Sequence, residues 1–283
     1  MRPTEERTAT LPAQTETIVI TGAAGRIGRE VVPLLGRPER VLRLVDTAPA
    51  PSGMDLPDGA SWHDVAIEDD AGMREVLAGA SAVVHLAGLS SERPWADLLR
   101  VNIDGTQRVL EAARHSGVRR VLLASSIHAV GFAPAADAAS AAPLLPRPDT
   151  FYGVSKAAME ALGSLYADRF GMSIVSARIC AFTSEAGDRR GAAQWLSPGD
   201  MARLIEAAVV LDDGRHHLVW GVSDNADGWF SLAAGHAMGY RPEDDSRQPR
   251  RLADGTAPSP LAPFGPLGGV FTDDAHPVGE TWG

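Results

Sequence analysis

Apolar and polar positions along the chain fall into alternating blocks. Ile18-Val19-Ile20 is an apolar run that reads as a buried strand, and Gly22, Gly25 and Gly28 follow it before a helical pattern opens. That pattern reaches about Leu35, where Gly36 stops it; Pro33 lies inside it, removes a backbone donor and kinks the last turn. Further strands are predicted at 40–45, 62–65, 82–88, 121–126, 173–179 and 217–221. Helices are predicted within 92–116, over 152–170, from 197 through 210, and over 231–238. Gly117, Gly171 and Gly239 stand where three of them stop. Ser197-Pro198-Gly199-Asp200 starts a helix with a capping hydroxyl, a proline at the first helical position and an acid in the first turn. Strands and helices in this rhythm predict an α/β fold, a parallel sheet wound on both faces. Ligands in such sheets lie beyond the carboxyl ends of the strands, where Gly88, Ser126 and Cys180 fall together with the glycine turn.

The pattern lapses at both ends. Residues 1–16 are polar and mixed in charge and read as a flexible leader; 17–180 carry the repeating pattern; 181–243 form a smaller portion; 244–283 are rich in Pro, Gly, Asp and Ala and read as an irregular tail. At 283 residues, with 45% hydrophobic and 22% charged, the chain can bury a large core. Its net charge of −10, with no basic tract, argues against a nucleic-acid partner. A single cysteine, Cys180, rules out an internal disulfide and a thiolate zinc cluster, and no metal is expected. No apolar run reaches the roughly 18 residues of a membrane span, and no signal peptide is evident, so the cytoplasm is the expected compartment.

The glycine spacing builds a phosphate cradle. Gly22 permits a tight turn, Gly25 lets backbone approach a pyrophosphate, and Gly28 lets the helix pack close to the strand. Asp46, ending the second strand, is placed to hydrogen-bond both ribose hydroxyls of an adenosine and to repel a 2′-phosphate, which favours NAD over NADP. Tyr152 and Lys156 stand four apart at a helix start and share one face. An ammonium beside a phenol favours the phenolate, and such a tyrosine can take a proton from an alcohol while hydride leaves the same carbon. Ser126, on an adjacent strand end, is placed to hold the alcohol oxygen. Asn102 falls inside a helix and reads equally as a core amide or a site residue.

Taken together, Thr21-Gly22-x-x-Gly25-x-x-Gly28, Asp46, Asp64-Val65, Leu86-Ala87-Gly88, Ser126 and Tyr152-x-x-x-Lys156 resemble the extended short-chain dehydrogenases/reductases over roughly residues 17–242. The resemblance implies a Rossmann-type doubly wound sheet with a small C-terminal substrate-binding portion. It adds Arg26, Ile27, Asn102 and Ile179 to the cofactor-binding set. A closer resemblance, to the uronate dehydrogenases, runs through 85–90, 125–131, 194–197 and 219–225. That family oxidises the anomeric carbon of a free hexuronate with NAD to an aldarolactone. Carried over, it implies that Ser90, Ser126 and His128 line the sugar pocket and that Arg190 clamps the substrate carboxylate, a task suited to a bidentate guanidinium.

Two positions depart from the family pattern: Ile127 replaces an asparagine and Ala181 a serine. Both changes delete hydrogen-bonding groups, so a sugar hydroxyl facing them loses partners and a less polar ligand is favoured. A neutral aldose or another small alcohol is therefore an alternative substrate. A nucleotide-sugar epimerase or dehydratase fits less well, because such relatives carry a larger C-terminal lobe and, in dehydratases, an acid pair where this chain has Ile127-His128. A non-catalytic dinucleotide sensor need not keep Tyr152, Lys156 and Ser126 together. In the resembling family, dimers pair through helices equivalent to those around 95–116 and 152–170, so the resemblance allows a homodimer while the sequence leaves the oligomeric state open.

Overall fold

The structure is a computed structural model that describes residues 15–247 and 262–282. The predicted leader up to residue 14 and the tail residues 248–261 lie outside the described residues. The strands in chain order are β1 (Glu16–Thr21), β2 (Arg40–Asp46), β3 (Ser61–Asp64), β4 (Ala82–His85), β5 (Arg120–Ser126), β6 (Ser173–Ile179), β7 (Ala181–Phe182), β8 (Trp195–Leu196) and β9 (His216–Gly221). Among the described residues, seven of them form one sheet in the order β3-β2-β1-β4-β5-β6-β9, every neighbouring pair parallel. The winding reverses between β1 and β4, which opens a crevice at their carboxyl ends.

Each strand feeds both faces. Ile18 and Ile20 of β1 pack with Leu42, Leu44 and Val84 under the helices at Arg26–Val31 and Pro198–Val210. Val19, one residue out of phase, packs on the other face with Val83, Val121 and Leu123 under the helices at Asp70–Leu77, Gly105–His115 and Phe151–Phe170. Pro33 acts as predicted: the first helix passes from α to a 3-10 turn at Val32–Leu35. The stretch read as one helix within 92–116 runs from Trp95 to His115, and its middle, Leu99–Asp104, is wound as a π-helix. The helix Asp70–Leu77 was not expected; the Asp69 side chain caps it by accepting from Ala71 and Gly72 N–H, both at 3.1 Å. No helix among the described residues is long and apolar enough to cross a membrane.

The helix at Phe151–Phe170 is fixed at both ends and in the middle. The Thr150 hydroxyl caps it by accepting from Gly153 N–H at 3.0 Å, and Gly171 closes it in the left-handed region with φ 66°. Midway, buried Glu160 accepts two hydrogen bonds from Arg178 of β6, at 2.8 and 2.7 Å, and one from the Ser125 hydroxyl of β5 at 2.7 Å. The described end of the chain, 262–282, crosses back over the carboxyl ends of the strands as a strap. It is held by backbone hydrogen bonds from Ala135 to Gly265, Leu267 to Ala133 and Gly268 to Gly131.

Removing one member of the buried ion pair strands the other without solvent. Glu160→Ala is expected to lower unfolding free energy by about 3–5 kcal/mol in urea denaturation. A loss below 1 kcal/mol, the size of a surface ion pair, would contradict this account.

Candidate active site

The crevice at the reversal point opens into a cavity of about 510 Å³ lined by Gly22, Gly25, Asp46, Val65, Leu86, Ala87 and Gly88, among others. Gly22 has φ 72°, and a Cβ there would lie 2.5 Å from the Ala87 amide nitrogen, so glycine is required for both torsion and space. A Cβ on Gly28 would collide with the Ala23 carbonyl, which is how the helix comes so close to the turn. Arg26 and Ile27 begin that helix, and Ile27 packs against the core.

Asp46 sits at the end of β2, half-buried. Its Oδ2 accepts from Ala24 N–H of the glycine turn at 2.9 Å, and its Oδ1 from Ala48 N–H at 3.0 Å. Asp64 pairs in register with Asp46 across β2 and β3 and is exposed, with Val65 just beyond it. A buried polar thread crosses the floor. The Thr106 hydroxyl donates to the Asn102 carbonyl at 2.6 Å, so His85 Nε2 donates to Thr106 at 3.1 Å and His85 Nδ1 accepts from Thr21 at 2.7 Å. Burial, reinforced by the charge of Lys156, drops His85 to about 3 and keeps it neutral. The Asn102 amide is fully engaged, accepting from Leu89 N–H at 2.8 Å and donating to the Leu89 carbonyl at 3.0 Å and to Ser155 at 2.9 Å. It shapes the loop after β4 from inside the protein.

Leu123 of β5 pairs with His85, and β5 then continues beyond the end of β4 to Ser126, which pairs with Ile179 of β6. Ser126 thereby comes close enough to Tyr152 for its hydroxyl to favour the phenolate. Lys156 lies one helical turn on; its Nζ donates to the Ala124 carbonyl at 2.8 Å and stands 5.6 Å from the centre of the Tyr152 ring. The predicted catalytic trio is brought together and buried.

The electrostatics differ from the simple lysine–tyrosine expectation. Burial pushes Tyr152 up to about 12, opposed by the neighbouring Ser126 hydroxyl and the charge of Arg26 and reinforced by Asp149. Burial also lowers Lys156, from 10.5 to about 8. In this geometry desolvation is the largest influence on both side chains.

The residues expected around a sugar are distributed less evenly. Ser90 is exposed in the loop after β4. Ile127 is buried in an apolar cluster with Val130, Ala193, Trp220, Val222 and Leu267. Ala181 is half-buried on β7, its N–H donating to the Gln194 carbonyl at 3.0 Å. His128 donates from Nδ1 to Asp149 at 2.7 Å. Arg190 uses one nitrogen, Nη2, to donate to the strap carbonyls of Pro266 and Leu267 at 2.7 and 2.8 Å. A bidentate carboxylate would therefore compete with the strap, whereas Nη1 has no partner among the described residues.

Three contributors escaped the sequence reading. Buried Glu92 accepts from Tyr152 N–H at 2.7 Å, from Phe151 N–H at 3.3 Å and from Gly279 N–H of the strap at 2.7 Å. Phe271 of the strap stacks on His128 with ring centres 4.0 Å apart. Asp149 had only a faint signal, two cap-type residues, Asp149-Thr150, immediately before the catalytic segment.

The cavity, the glycine cradle that added side chains would fill and Asp46 at its rim fit a dinucleotide, and the buried Tyr152, Lys156 and Ser126 fit alcohol oxidation. This is the class of NAD-dependent dehydrogenases of Rossmann type. A family model described as the NAD dependent epimerase/dehydratase family matches residues 18–227, and the chain belongs to that family. It is 36% identical over 238 residues to a uronate dehydrogenase of Pseudomonas syringae pv. tomato, covering 84% of this chain and 85% of that protein. An NAD-dependent glucose-6-phosphate dehydrogenase of Haloferax volcanii is 36% identical over 252 residues, covering 82% of this chain and 95% of that protein. The crystal structure of a mutant uronate dehydrogenase from Agrobacterium tumefaciens complexed with NAD superposes with a TM-score of 0.77, 32% identity and coverage of 93% of this chain and 99% of that one.

A lysine lowered by burial carries a signed pH dependence. Between pH 8 and 10.5 the unfolded chain keeps the Lys156 proton and the folded chain has lost it, so this group makes stability rise with pH across that window. Melting temperature against pH, compared between wild type and Lys156→Met, is expected to show that rise in wild type and its absence in the variant. A parallel pair of curves would contradict the assignment.

Proposed function

We propose that this protein oxidises the anomeric carbon of a free hexuronic acid with NAD, giving an aldarolactone. The observation that carries the reading is the burial of Tyr152, Lys156 and Ser126 together, Lys156 Nζ 5.6 Å from the Tyr152 ring centre and Ser126 at the carboxyl end of β5, next to the glycine cradle. Ser126 holds the C1 hydroxyl oxygen. Tyr152 takes its proton, drawn toward the phenolate by Ser126 and Arg26. Lys156 and Asp46 would hold ribose hydroxyls, and the backbone at Gly22 and Gly25 would meet the pyrophosphate, with Gly28 letting the helix close on the turn. When bound, NAD supplies the hydride acceptor and, in its nicotinamide, a positive charge. Burial of the trio keeps water away from the developing carbonyl.

Support for a uronate comes from Arg190, which retains donors for a carboxylate, and from the similarity to uronate dehydrogenases over most of both chains. A neutral aldose is the second reading. It is favoured by apolar Ile127 and Ala181 where hydrogen-bonding side chains would suit a polar sugar, and by 34% identity over 257 residues to an L-arabinose 1-dehydrogenase of Haloferax volcanii.

NADH formation is to be followed with glucuronate, galacturonate, glucose, galactose, glucose 6-phosphate and UDP-glucose. Turnover confined to the two uronates is expected; turnover confined to neutral or phosphorylated aldoses overturns the uronate reading. Tyr152→Phe should cut turnover by about 10²–10⁴-fold with NADH binding retained. Arg190→Ala should raise KM for a uronate well beyond any effect on its neutral aldose, and equal losses on both would remove the clamp.

A further inference from the structure

Asp149 immediately precedes the cap of the catalytic helix, and its side chain is 0% exposed. Its Oδ2 accepts from His128 Nδ1 at 2.7 Å and its Oδ1 accepts from the Thr150 hydroxyl at 3.1 Å. Glycines from three separate segments close around it. A Cβ on Gly131 or on Gly268 would collide with Oδ2, and one on Gly153 would lie 2.9 Å from Oδ1. The loop after β5, the catalytic helix and the strap therefore all leave room for this carboxylate and for nothing larger.

The His128 ring is equally constrained. Tyr152 meets it edge-on at 5.8 Å, and Phe271 stacks on it at 4.0 Å. Beyond Phe271 lies His276, which is itself paired to Asp273 at 2.6 Å. Among the described residues Nε2 has no hydrogen-bond partner. An ionised carboxylate can only accept, so the nitrogen facing it must carry the ring proton; in the neutral imidazole the other nitrogen is then an acceptor.

We propose that Asp149 is a positioning residue for the redox reaction. It locks His128 as the Nδ1–H tautomer, so that bare Nε2 accepts a hydrogen bond from a sugar hydroxyl near the reacting carbon. Three constraints act on one ring: the carboxylate sets its proton, Tyr152 sets its edge, and Phe271 sets its plane. A hydroxyl donor is selected over an ether or carbonyl at that point of the ligand. The proposal rests on the reading of the substrate as a sugar, which the panel above tests separately.

The tautomer can be read without substrate. Long-range ¹H–¹⁵N spectra of the wild-type imidazoles, with His128 assigned by its loss in His128→Asn, are expected to show protonated Nδ1 and bare Nε2. A proton on Nε2 of the neutral ring overturns the proposal whether or not any sugar is turned over. Asp149→Asn presents an amide that both donates and accepts, so it no longer dictates the tautomer. It should lose about 10–100-fold in kcat/KM, mainly through KM, with NADH affinity unchanged. Asp149→Asn/His128→Asn should be no worse than His128→Asn alone, because the two residues act as one unit. Wild-type kinetics in Asp149→Asn, additive losses in the double variant, or a loss carried by kcat alone each overturn it. An Asp149→Asn protein that fails to bind NADH leaves the decision to the wild-type spectrum.

Discussion

The buried ion pair between Glu160 and Arg178 is the constraint on which the site depends. Glu160 sits one helical turn beyond Lys156 and two beyond Tyr152, and its partners are Arg178 of β6 and Ser125 of β5, the residue before Ser126. A hydrophobic contact would let the helix slide by a few tenths of an ångström at little cost. Two charges out of water, joined by paired hydrogen bonds, permit one rotation and one height. The spacing of Tyr152, Lys156 and Ser126 is thus set by a side chain that bonds to none of them. Such a pair adds little net stability over an apolar replacement of the same shape; its contribution is register.

Around that frame the site is organised by desolvation more than by attraction. Tyr152 and Lys156 are both held away from their charged forms by burial, and His85 beneath them is held neutral. The hydrogen-bond partners of Lys156 and His85 are uncharged: the Ala124 carbonyl and the two threonines flanking His85. The π-helical turn at Leu99–Asp104 belongs to the same scheme. Its wider winding carries Asn102 to where one amide grips Leu89 on the loop and Ser155 on the catalytic helix. The loop that borders the cavity is tied directly to the helix that bears Tyr152.

Much of this was legible in the sequence because it rests on side-chain identity at short range. The apolar runs become the seven strands of the sheet, the glycine triplet becomes the turn, and Ser197-Pro198 starts a helix as a cap and first residue should. The helix at Asp70–Leu77 leaves only a short apolar trace, Met73, Val76 and Leu77 at i, i+3 and i+4, with the Asp69 cap marking its start. Tyr152, Lys156 and Ser126 converge because strand and helix ends converge in any such sheet. What could not be read is what the backbone does at long range. The strap engages Arg190 through carbonyls and Glu92 through a glycine N–H, groups that every residue carries and no motif records. The rise of Tyr152 was also out of reach, because burial acts on it only once the whole pocket is closed.

Glu92 ties the most distant parts of the chain into one event. Its carboxylate accepts from Tyr152 at the start of the catalytic helix and from Gly279, which lies 187 residues from Glu92 along the chain. A contact at that separation is among the last a folding chain can close. The sheet, the helices and the glycine turn can all form while one side of this carboxylate still faces solvent. Chemical competence is therefore a late property of this fold, reached after its stability has largely been established, and a chain halted short of the strap would be an ordered body with an unfinished site.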